Sequence, residues 1–208
     1  MYRFPGKGLY VITDCNSDDF TFCLDKTREI LDCGIAVIQY RDKTPDKDLR
    51  YERCAVLQEI CSHYNTCFIV NDDIQMAETL GIHAVHIGRD DPAFSEATGI
   101  LGPDACIGVS CYNDMNRAIA AQESGAAYIA FGAFFKTQTK QQTVTAPVEL
   151  LNKARMNLTI PVVAIGGITT ENGARLLDAG ADMLAVISSV YNSNNTAAVV
   201  NTYNRLFD

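Results

Sequence analysis

The sequence lacks several features that mark whole classes of protein. No apolar run reaches the roughly 18 residues of a membrane-spanning helix. The N-terminus leads almost at once into a predicted strand, without the apolar core of a signal peptide. Basic residues are outnumbered, 17 against 25 acidic ones, and the formal net charge of −8 argues against nucleic acid or an anionic membrane as the main partner. We therefore expect a cytoplasmic protein that binds neither nucleic acid nor membrane.

The eight cysteines are not arranged as a metal site. No two have the Cys-x-x-Cys spacing, and none follows a zinc-binding pattern. Most lie in apolar segments, where a reduced thiol acts as a small hydrophobic side chain. The sequence therefore predicts reduced cysteines in preference to disulfides.

The sequence does contain a repeated pattern, in which a helix ends in glycine and a β-rich segment follows. The glycines that end these helices are Gly34, Gly81, Gly125 and Gly180. Their spacing leaves room for one further strand and helix in each gap. The strands predicted in these gaps, and the strand that begins the series, are Cys67–Asn71, Ala105–Ser110, Pro161–Ile165 and Leu9–Thr13.

Helical patterns separate the eight predicted strands, near residues 18–33, 46–63, 73–80, 93–101, 113–123, 147–157, 170–178 and 195–207. Thr44-Pro45 is typical of the start of the second of these helices. Eight alternations of strand and helix predict a parallel sheet, which closes naturally into a (β/α)8 TIM barrel. We therefore expect an α/β protein with one TIM-barrel domain over residues 1–208. An open, doubly wound sheet is the alternative.

The segment Asn71–Asp91 contains two acidic residues that follow neighbouring strands. Asp72 lies where the third strand ends and a helix begins, and Asp91 follows the fourth strand. Parallel neighbours lie about 4.8 Å apart, so the two carboxylates can face each other across a small gap. A hard cation such as Mg²⁺, which prefers oxygen ligands, would relieve their repulsion. The alternative is a helix cap and a solvated loop acid.

A second group of polar residues follows the second strand. Gln39, Arg41 and Lys43 alternate along the chain, so they share one face of a strand. Inside a barrel mouth, cationic side chains would be costly without a bound anion. The alternative is that Asp42 and Asp46 pair with them in a solvated turn.

Further candidates lie at the ends of the later strands. Ser110 follows the fifth strand with no obvious base nearby, so it is better interpreted as a hydrogen-bonding group than as a nucleophile. The long polar loop after the sixth strand suggests a lid or binding loop, or alternatively a flexible insertion. Its candidate residues are Thr137, Thr139 and Lys140.

Gly166-Gly167 and Ser188-Ser189 follow the seventh and eighth strands, where this fold commonly binds phosphate. A simple tight turn is the alternative for the two glycines. The three histidines form no catalytic constellation: His63 and His83 are interpreted as structural, and His86 could face the mouth. Abundant cations without acid–base machinery suit a reaction driven by stabilising a leaving group.

Six segments, taken in order, resemble the thiamine phosphate synthase family: IQYRDK, NDDIQMAETLGIHAVHIGRDD, IGVS, YIAFGAFFKTQTK, PVVAIGGIT and AVISSVY. The resemblance implies a transferase that joins hydroxymethylpyrimidine pyrophosphate to a thiazole phosphate. It also implies a Mg²⁺ cofactor and a pyrimidine-methyl cation that the thiazole nitrogen captures, without a protein nucleophile.

The resemblance further implies a role for each candidate residue. Pyrophosphate would be held by Gln39, Arg41, Lys43, Asn71 and Lys140, and Mg²⁺ by Asp72 and Asp91. The pyrimidine or the pyrophosphate would contact Ser110. The thiazole phosphate would contact Thr137, Thr139, Gly167, Ser188 and Ser189. The catalytic set would be Arg41, Lys43, Ser110 and Lys140.

The sequence departs from the family pattern at Arg89, Lys136 and Cys111-Tyr112, which bear on rate and affinity more than on reaction type. A thiazole tautomerase-like paralogue shares the fold but tends to lose the pyrophosphate residues that this chain keeps. A non-catalytic binding protein on the same scaffold and a sugar-phosphate isomerase are further alternatives. Homo-oligomers are compatible with the sequence.

Overall fold

The computed structural model describes residues 4–15, 19–88, 93–136 and 145–208. Its centre is a closed barrel of eight parallel strands in sequence order, in which β1 pairs with both β2 and β8. The strands are β1 Gly8–Ile12, β2 Val37–Tyr40, β3 Cys67–Asn71, β4 Ala84–Ile87, β5 Cys106–Tyr112, β6 Tyr128–Gly132, β7 Val162–Ile165 and β8 Met183–Val186. The predicted (β/α)8 barrel is confirmed, and the alternative open sheet is wrong.

Helices follow the strands around the barrel. They are α1 Phe20–Asp32, α2 Lys47–Ser62, α3 Ile74–Thr79, α4 Phe94–Leu101, α5 Met115–Glu123, α6 Glu149–Asn157, α7 Gly173–Asp178, α8 Ser188–Tyr191 and α9 Thr196–Asn204, before a final 3₁₀ turn Arg205–Phe207. The short α8 was not predicted. Four residues are too few for the helical periodicity that revealed the other helices.

The strands form because their apolar, largely β-branched residues are buried on both faces. Strands β2, β4 and β8 are buried along their whole length, as expected for a parallel sheet covered by helices. The interior also contains polar side chains, among them Tyr10, Gln39 and Tyr128, each at most 2% exposed. The barrel therefore has an interior that is partly hydrogen-bonded as well as packed.

Aspartates begin several of the helices that lead away from the mouth. Asp46 caps α2 by accepting from the Leu49 backbone N–H, and Asp73 caps α3 by accepting from Met76. The prediction that Thr44-Pro45 begins α2 is therefore wrong by two residues. Thr44 instead uses its hydroxyl oxygen to accept a hydrogen bond from Arg53.

The cysteines differ in part from expectation. Cys15 and Cys23 form a disulfide across the β1–α1 connection, so the prediction of reduced cysteines is wrong for this pair. Their Cα atoms lie 5.5 Å apart, within disulfide range, and their spacing in the sequence carried no signal of that approach. The other six cysteines are free. Among the helices of the described residues, none is long and apolar enough to cross a membrane.

Candidate active site

A cavity of about 340 Å³ opens at the carboxyl ends of the barrel strands. Every predicted site residue that the structure describes lines it: Gln39, Arg41, Lys43, Asn71, Asp72, Ser110, Gly167, Ser188 and Ser189. The remaining predicted site residues, Asp91, Thr137, Thr139 and Lys140, lie outside the described residues, as does Arg89. Residues far apart in the sequence therefore meet in one place, as the barrel topology predicts.

The end of β1 holds the backbone that carries Arg41. The Arg41 N–H donates to Thr13 Oγ1 (2.8 Å), and the Thr13 hydroxyl donates to the Arg41 carbonyl oxygen (3.1 Å). The Thr13 N–H also donates to the Gln39 carbonyl oxygen at 2.9 Å. Within this frame Gln39 is buried, Arg41 is half-buried and Lys43 is exposed. Hydrogen bonds to Thr13 thus fix the position of the backbone that carries these cationic side chains at the end of β2.

A buried ion pair fastens the turn between Arg41 and Lys43. The Asp42 side chain is 0% exposed, and its Oδ2 lies 3.1 Å from Arg53 Nη1. The same oxygen accepts from the Tyr40 hydroxyl, and Oδ1 accepts from the Thr44 N–H. The Asp42 carboxylate therefore binds Arg53 of α2 and the residues of the turn itself. Asp46 caps α2. The alternative in which Asp42 and Asp46 pair with Arg41 and Lys43 in a solvated turn is therefore not what the structure shows.

We expect Asp42→Asn to destabilise the protein by about 3–5 kcal/mol at pH 7, because it leaves the Arg53 charge buried without its partner. Burial favours protonation of Asp42, but hydrogen bonds from Thr44, Arg53 and Tyr40 outweigh it and hold its pKa below the usual value. A lowered pKa adds stability above the unfolded-state value of about 4, and that stability is lost as the pH falls through the folded-state pKa.

Urea unfolding at neutral and acid pH measures both effects. The difference in free energy of unfolding between wild type and Asp42→Asn should be largest at pH 7 and should decrease below about pH 4. Asp46→Asn is the matched control, because Asp46 is exposed and asparagine caps a helix about as well as aspartate. Equal stability of wild type and Asp42→Asn at pH 7 would contradict this account of the turn.

The end of β3 presents Asp72 in an unusual backbone conformation. Its φ of 63° lies in the left-handed region, which non-glycine residues adopt mainly at functional or strained positions. The Asp72 N–H donates to the His86 carbonyl oxygen (2.9 Å), and Asn71 Nδ2 donates to Asp72 Oδ2 (2.6 Å). Of the carboxylates in the described part of the chain, Asp72 alone lines the cavity.

The surroundings of Ser110 correct one prediction. His86 Nε2 lies 2.8 Å from Ser110 Oγ, so the expectation that no residue able to act as a base lies near Ser110 is wrong. Strand pairing explains the contact: His86 is in register with Gly108, and Ser110 is two residues further along the same face of β5. Arg117 of α5 holds the two strand ends together by donating to the carbonyl oxygens of Ser110 (2.8 Å) and Gly88 (2.9 Å).

The ends of β7 and β8 form a second, backbone-rich part of the cavity. Gly166 and Gly167 have φ of 102° and 65°, and a Cβ on either would collide with the segment 133–136 that follows β6. Both positions therefore need glycine, and their backbone is open to the cavity. Ser188 and Ser189 open the short α8 beside them.

Residues behind the cavity brace this second part. The Tyr203 hydroxyl donates to the Ile168 carbonyl oxygen (3.1 Å) and lies 3.0 Å from Ser189 Oγ. Asn172 donates to the Gly167 carbonyl oxygen at 3.0 Å. Sequence reasoning missed these supports because they come from helices, distant in sequence from the strand ends that they hold. The functional residues missed in this way are Arg117, Asn172 and Tyr203. Two strand residues, Tyr10 and Tyr128, were also missed, because nothing in the sequence distinguishes them from packed core residues. His86 was expected only as a residue that could face the mouth, and it does line the cavity.

Comparison with known proteins decides the family. A family model described as thiamine monophosphate synthase matches residues 9–190. The thiamine-phosphate synthase of Nitrosococcus oceani is 42% identical over 201 residues, which cover 97% of this chain and 93% of that protein. The chain belongs to the thiamine monophosphate synthase family.

Other members of the family agree in sequence and in structure. The thiamine-phosphate synthase of Thiobacillus denitrificans is 42% identical over 207 residues, covering 100% of this chain and 97% of that protein. A solved thiamine phosphate pyrophosphorylase from Pyrococcus furiosus is 30% identical, with a TM-score of 0.83 over 96% of this chain and 94% of its own. Membership confirms the predicted thiamine-phosphate synthase activity and the transferase class.

The departures from the family pattern that the structure describes differ in their burial and in their distance from the cavity. Cys111 is fully buried, so its thiol does not reach the cavity, whereas Tyr112 lines the cavity with a left-handed φ of 56°. The Lys136 side chain is exposed, and its carbonyl oxygen backs Gly167. Of these departures, Tyr112 is therefore placed to affect affinity directly.

Proposed function

We propose that the protein joins a hydroxymethylpyrimidine pyrophosphate to a thiazole phosphate, giving thiamine phosphate and free pyrophosphate. The observation that supports this is one cavity with two kinds of anion-binding group. Cationic and amide side chains follow β2 and β3, including Arg41, Lys43 and Asn71, while glycine backbone and serine hydroxyls follow β7 and β8. Two phosphorylated substrates can therefore bind side by side, with their reacting atoms between the two groups.

The proposed reaction is a dissociative substitution. The bond between the pyrimidine methylene carbon and the pyrophosphate oxygen breaks, and its electron pair leaves with pyrophosphate. The aminopyrimidine stabilises the methylene cation, and the thiazole nitrogen donates its lone pair to form the new carbon–nitrogen bond. Negative charge develops on the leaving oxygen, so cations fixed beside it lower the barrier. The catalytic cations are Arg41, Lys43 and Lys140.

The other residues hold and orient the substrates. On the pyrophosphate side these are Gln39 and Asn71, while Ser110 contacts the pyrimidine or the pyrophosphate. The residues proposed for the thiazole phosphate are Thr137, Thr139, Gly167, Ser188 and Ser189. The bracing of Gly167 by Asn172 and of Ser189 by Tyr203 supports this part, because a preformed phosphate site loses little entropy on binding.

Magnesium is the proposed cofactor, held by Asp72 and Asp91. The described part of the chain holds no cluster of three or more side chains that could bind a metal by themselves. The exposed carboxylate of Asp72 at the cavity still suits Mg²⁺, which commonly uses one or two carboxylates and completes its shell with substrate phosphates and water. When bound there, Mg²⁺ supplies positive charge to the pyrophosphate.

The proposal is tested by incubating purified protein with both substrates and Mg²⁺ and measuring thiamine phosphate and pyrophosphate by mass spectrometry. The two products should form in a 1:1 ratio, and omission of the thiazole phosphate should abolish thiamine phosphate. Protein quenched during turnover should keep its intact mass, since no residue acts as a nucleophile. A pyrimidinylmethyl adduct on the protein would refute the dissociative step. Tight thiazole phosphate binding without any product would favour the tautomerase or binding-protein alternative.

A further inference from the structure

A continuous chain of hydrogen bonds crosses the barrel interior at the base of the cavity. Gln39 Nε2 lies 2.9 Å from the Tyr10 hydroxyl, which lies 2.8 Å from the Tyr128 hydroxyl. The Tyr128 hydroxyl lies 2.9 Å from His86 Nδ1, and His86 Nε2 lies 2.8 Å from Ser110 Oγ. Both ends of this relay, Gln39 and Ser110, line the cavity, as do Tyr10 and His86 between them. The relay thus connects two proposed substrate contacts on different strands.

The barrel is built to accommodate the relay. Tyr10 and Tyr128 are 2% and 0% exposed, and a Cβ at Gly108 would overlap the Tyr128 ring, so glycine leaves the space that this ring fills. Burial raises the pKa of both tyrosines well above the usual value, so both hydroxyls keep their protons. A buried hydroxyl has one proton to donate, so the donor and the acceptor of each hydrogen bond can be deduced in turn.

The count begins at Gln39, whose amide nitrogen can only donate, so Tyr10 accepts there. The Tyr10 proton then goes to its other partner, the Tyr128 oxygen, because leaving a buried donor unsatisfied costs about 1–3 kcal/mol. Tyr128 has accepted this bond and therefore donates its own proton to His86 Nδ1. Each step follows from the one before it.

An imidazole that accepts at Nδ1 carries its proton on Nε2 when it is neutral. His86 Nε2–H therefore donates to Ser110 Oγ, and the Ser110 proton is directed away from His86. This polarity makes His86 a donor to Ser110 and not its base. It also explains how a serine and a histidine can lie 2.8 Å apart in a site whose reaction needs no protein nucleophile.

We propose that the Gln39–Tyr10–Tyr128–His86 relay fixes the Nε2–H tautomer of His86 and thereby makes Ser110 a hydrogen-bond donor to the pyrimidine pyrophosphate. His86 is thus a positioning residue. The inference deepens the proposed function and rests on it for the identity of the ligand. An opposite polarity, set by a rotated Gln39 amide, would have Ser110 donate to His86 and turn a lone pair toward the anion. The orientation of Gln39 therefore sets the donor character of Ser110.

The first test measures the tautomer directly, without turnover. Long-range ¹H–¹⁵N spectra of labelled wild-type protein distinguish protonation at Nε2, at Nδ1 or at both, and the His86 signals are those missing from His86→Gln. The expected result is a neutral ring protonated at Nε2. A ring protonated at Nδ1, or at both nitrogens, would overturn the relay. If this protein made no thiamine phosphate but showed the Nε2–H tautomer, the proposed function would fail while the relay stood.

The second test separates positioning from packing. The side-chain amide of asparagine lies near the imidazole Nδ1 position, whereas that of glutamine reaches the Nε2 position. We expect His86→Asn to lower kcat at least about tenfold through the lost bond to Ser110. His86→Gln should recover most of that loss, and the KM for thiazole phosphate should be unchanged in both variants.

Tyr128→Phe, which removes the donor to His86 Nδ1 together with the acceptor for the Tyr10 hydroxyl, should resemble His86→Asn. His63→Asn is the control, because His63 is exposed and pairs with Glu59 on the outer surface. Thermal unfolding of each variant excludes a loss of fold as the cause. Wild-type kcat in His86→Asn, or equal losses in His86→Asn and His86→Gln, would contradict the assigned role of His86.

Discussion

Lys43→Ala is expected to lower kcat for thiamine phosphate formation by about 10²–10³-fold, the usual cost of removing one group that stabilises charge developing in a transition state. Lys43 lines the cavity, and its backbone belongs to the turn that the buried Asp42–Arg53 pair fastens. The loss should fall on kcat and on the KM for the pyrimidine pyrophosphate, with the KM for thiazole phosphate unchanged. Steady-state kinetics with each substrate varied in turn measures this division.

Lys47→Ala is the matched control for Lys43. Lys47 is an exposed lysine four residues along, at the start of α2, and its Nζ lies 5.2 Å from the centroid of the Tyr51 ring, outside the cavity. Its substitution should change neither kinetic constant appreciably. Both variants should unfold at the wild-type temperature, because both side chains are exposed. Equal effects of the two substitutions would mean that Lys43 contributes only to the overall electrostatic field of the protein and does not stabilise the leaving group.

Asp72→Asn is expected to produce the second large effect, a fall of about 10²-fold or more in activity at low Mg²⁺ that high Mg²⁺ relieves in part. Asparagine is the informative choice, because it tolerates the left-handed backbone of Asp72 and removes only the charge. Alanine would add backbone strain to the loss of the ligand. Titration of activity with Mg²⁺ gives the apparent affinity for the metal in each variant.

The neighbouring acid provides the control for Asp72. Asp73→Asn makes the same chemical change one residue later, where the side chain caps α3 and lies outside the cavity lining. Because asparagine also caps helices, stability and Mg²⁺ dependence should stay close to wild type. A shift in Mg²⁺ affinity in Asp73→Asn but not in Asp72→Asn would reverse the assignment of the metal ligand.

Local patterns were sufficient to predict the barrel. Glycines such as Gly34 and Gly81 end helices in the left-handed conformation and mark where each strand follows, so their spacing revealed the repeat. The predicted strand Cys67–Asn71 has the observed bounds. Two features were not predicted: α8, which is too short for helical periodicity, and the Cys15–Cys23 disulfide, which depends on a close approach of two residues that the sequence pattern does not show.

The cavity lining was predictable for the same reason, since carboxyl ends of parallel strands must meet at one mouth. The relay was not predictable, because it depends on which residues face each other across the interior. His86 and Ser110 meet only through the β4–β5 register, and Tyr10 meets Tyr128 from strands that are not paired. The ion pair between Asp42 and Arg53 was not predictable for the same reason, because it depends on a contact between the turn and α2.

The measurement that tests the central claim most directly is thiamine phosphate formation by the purified wild-type protein before and after EDTA treatment. The account predicts product from the two substrates, its loss on chelation, and its return when Mg²⁺ is added in excess. That result would agree with a site in which Arg41, Lys43 and a metal at Asp72 neutralise the leaving pyrophosphate. Undiminished turnover in EDTA would contradict the metal's role, and absence of product under every condition would contradict the proposed reaction.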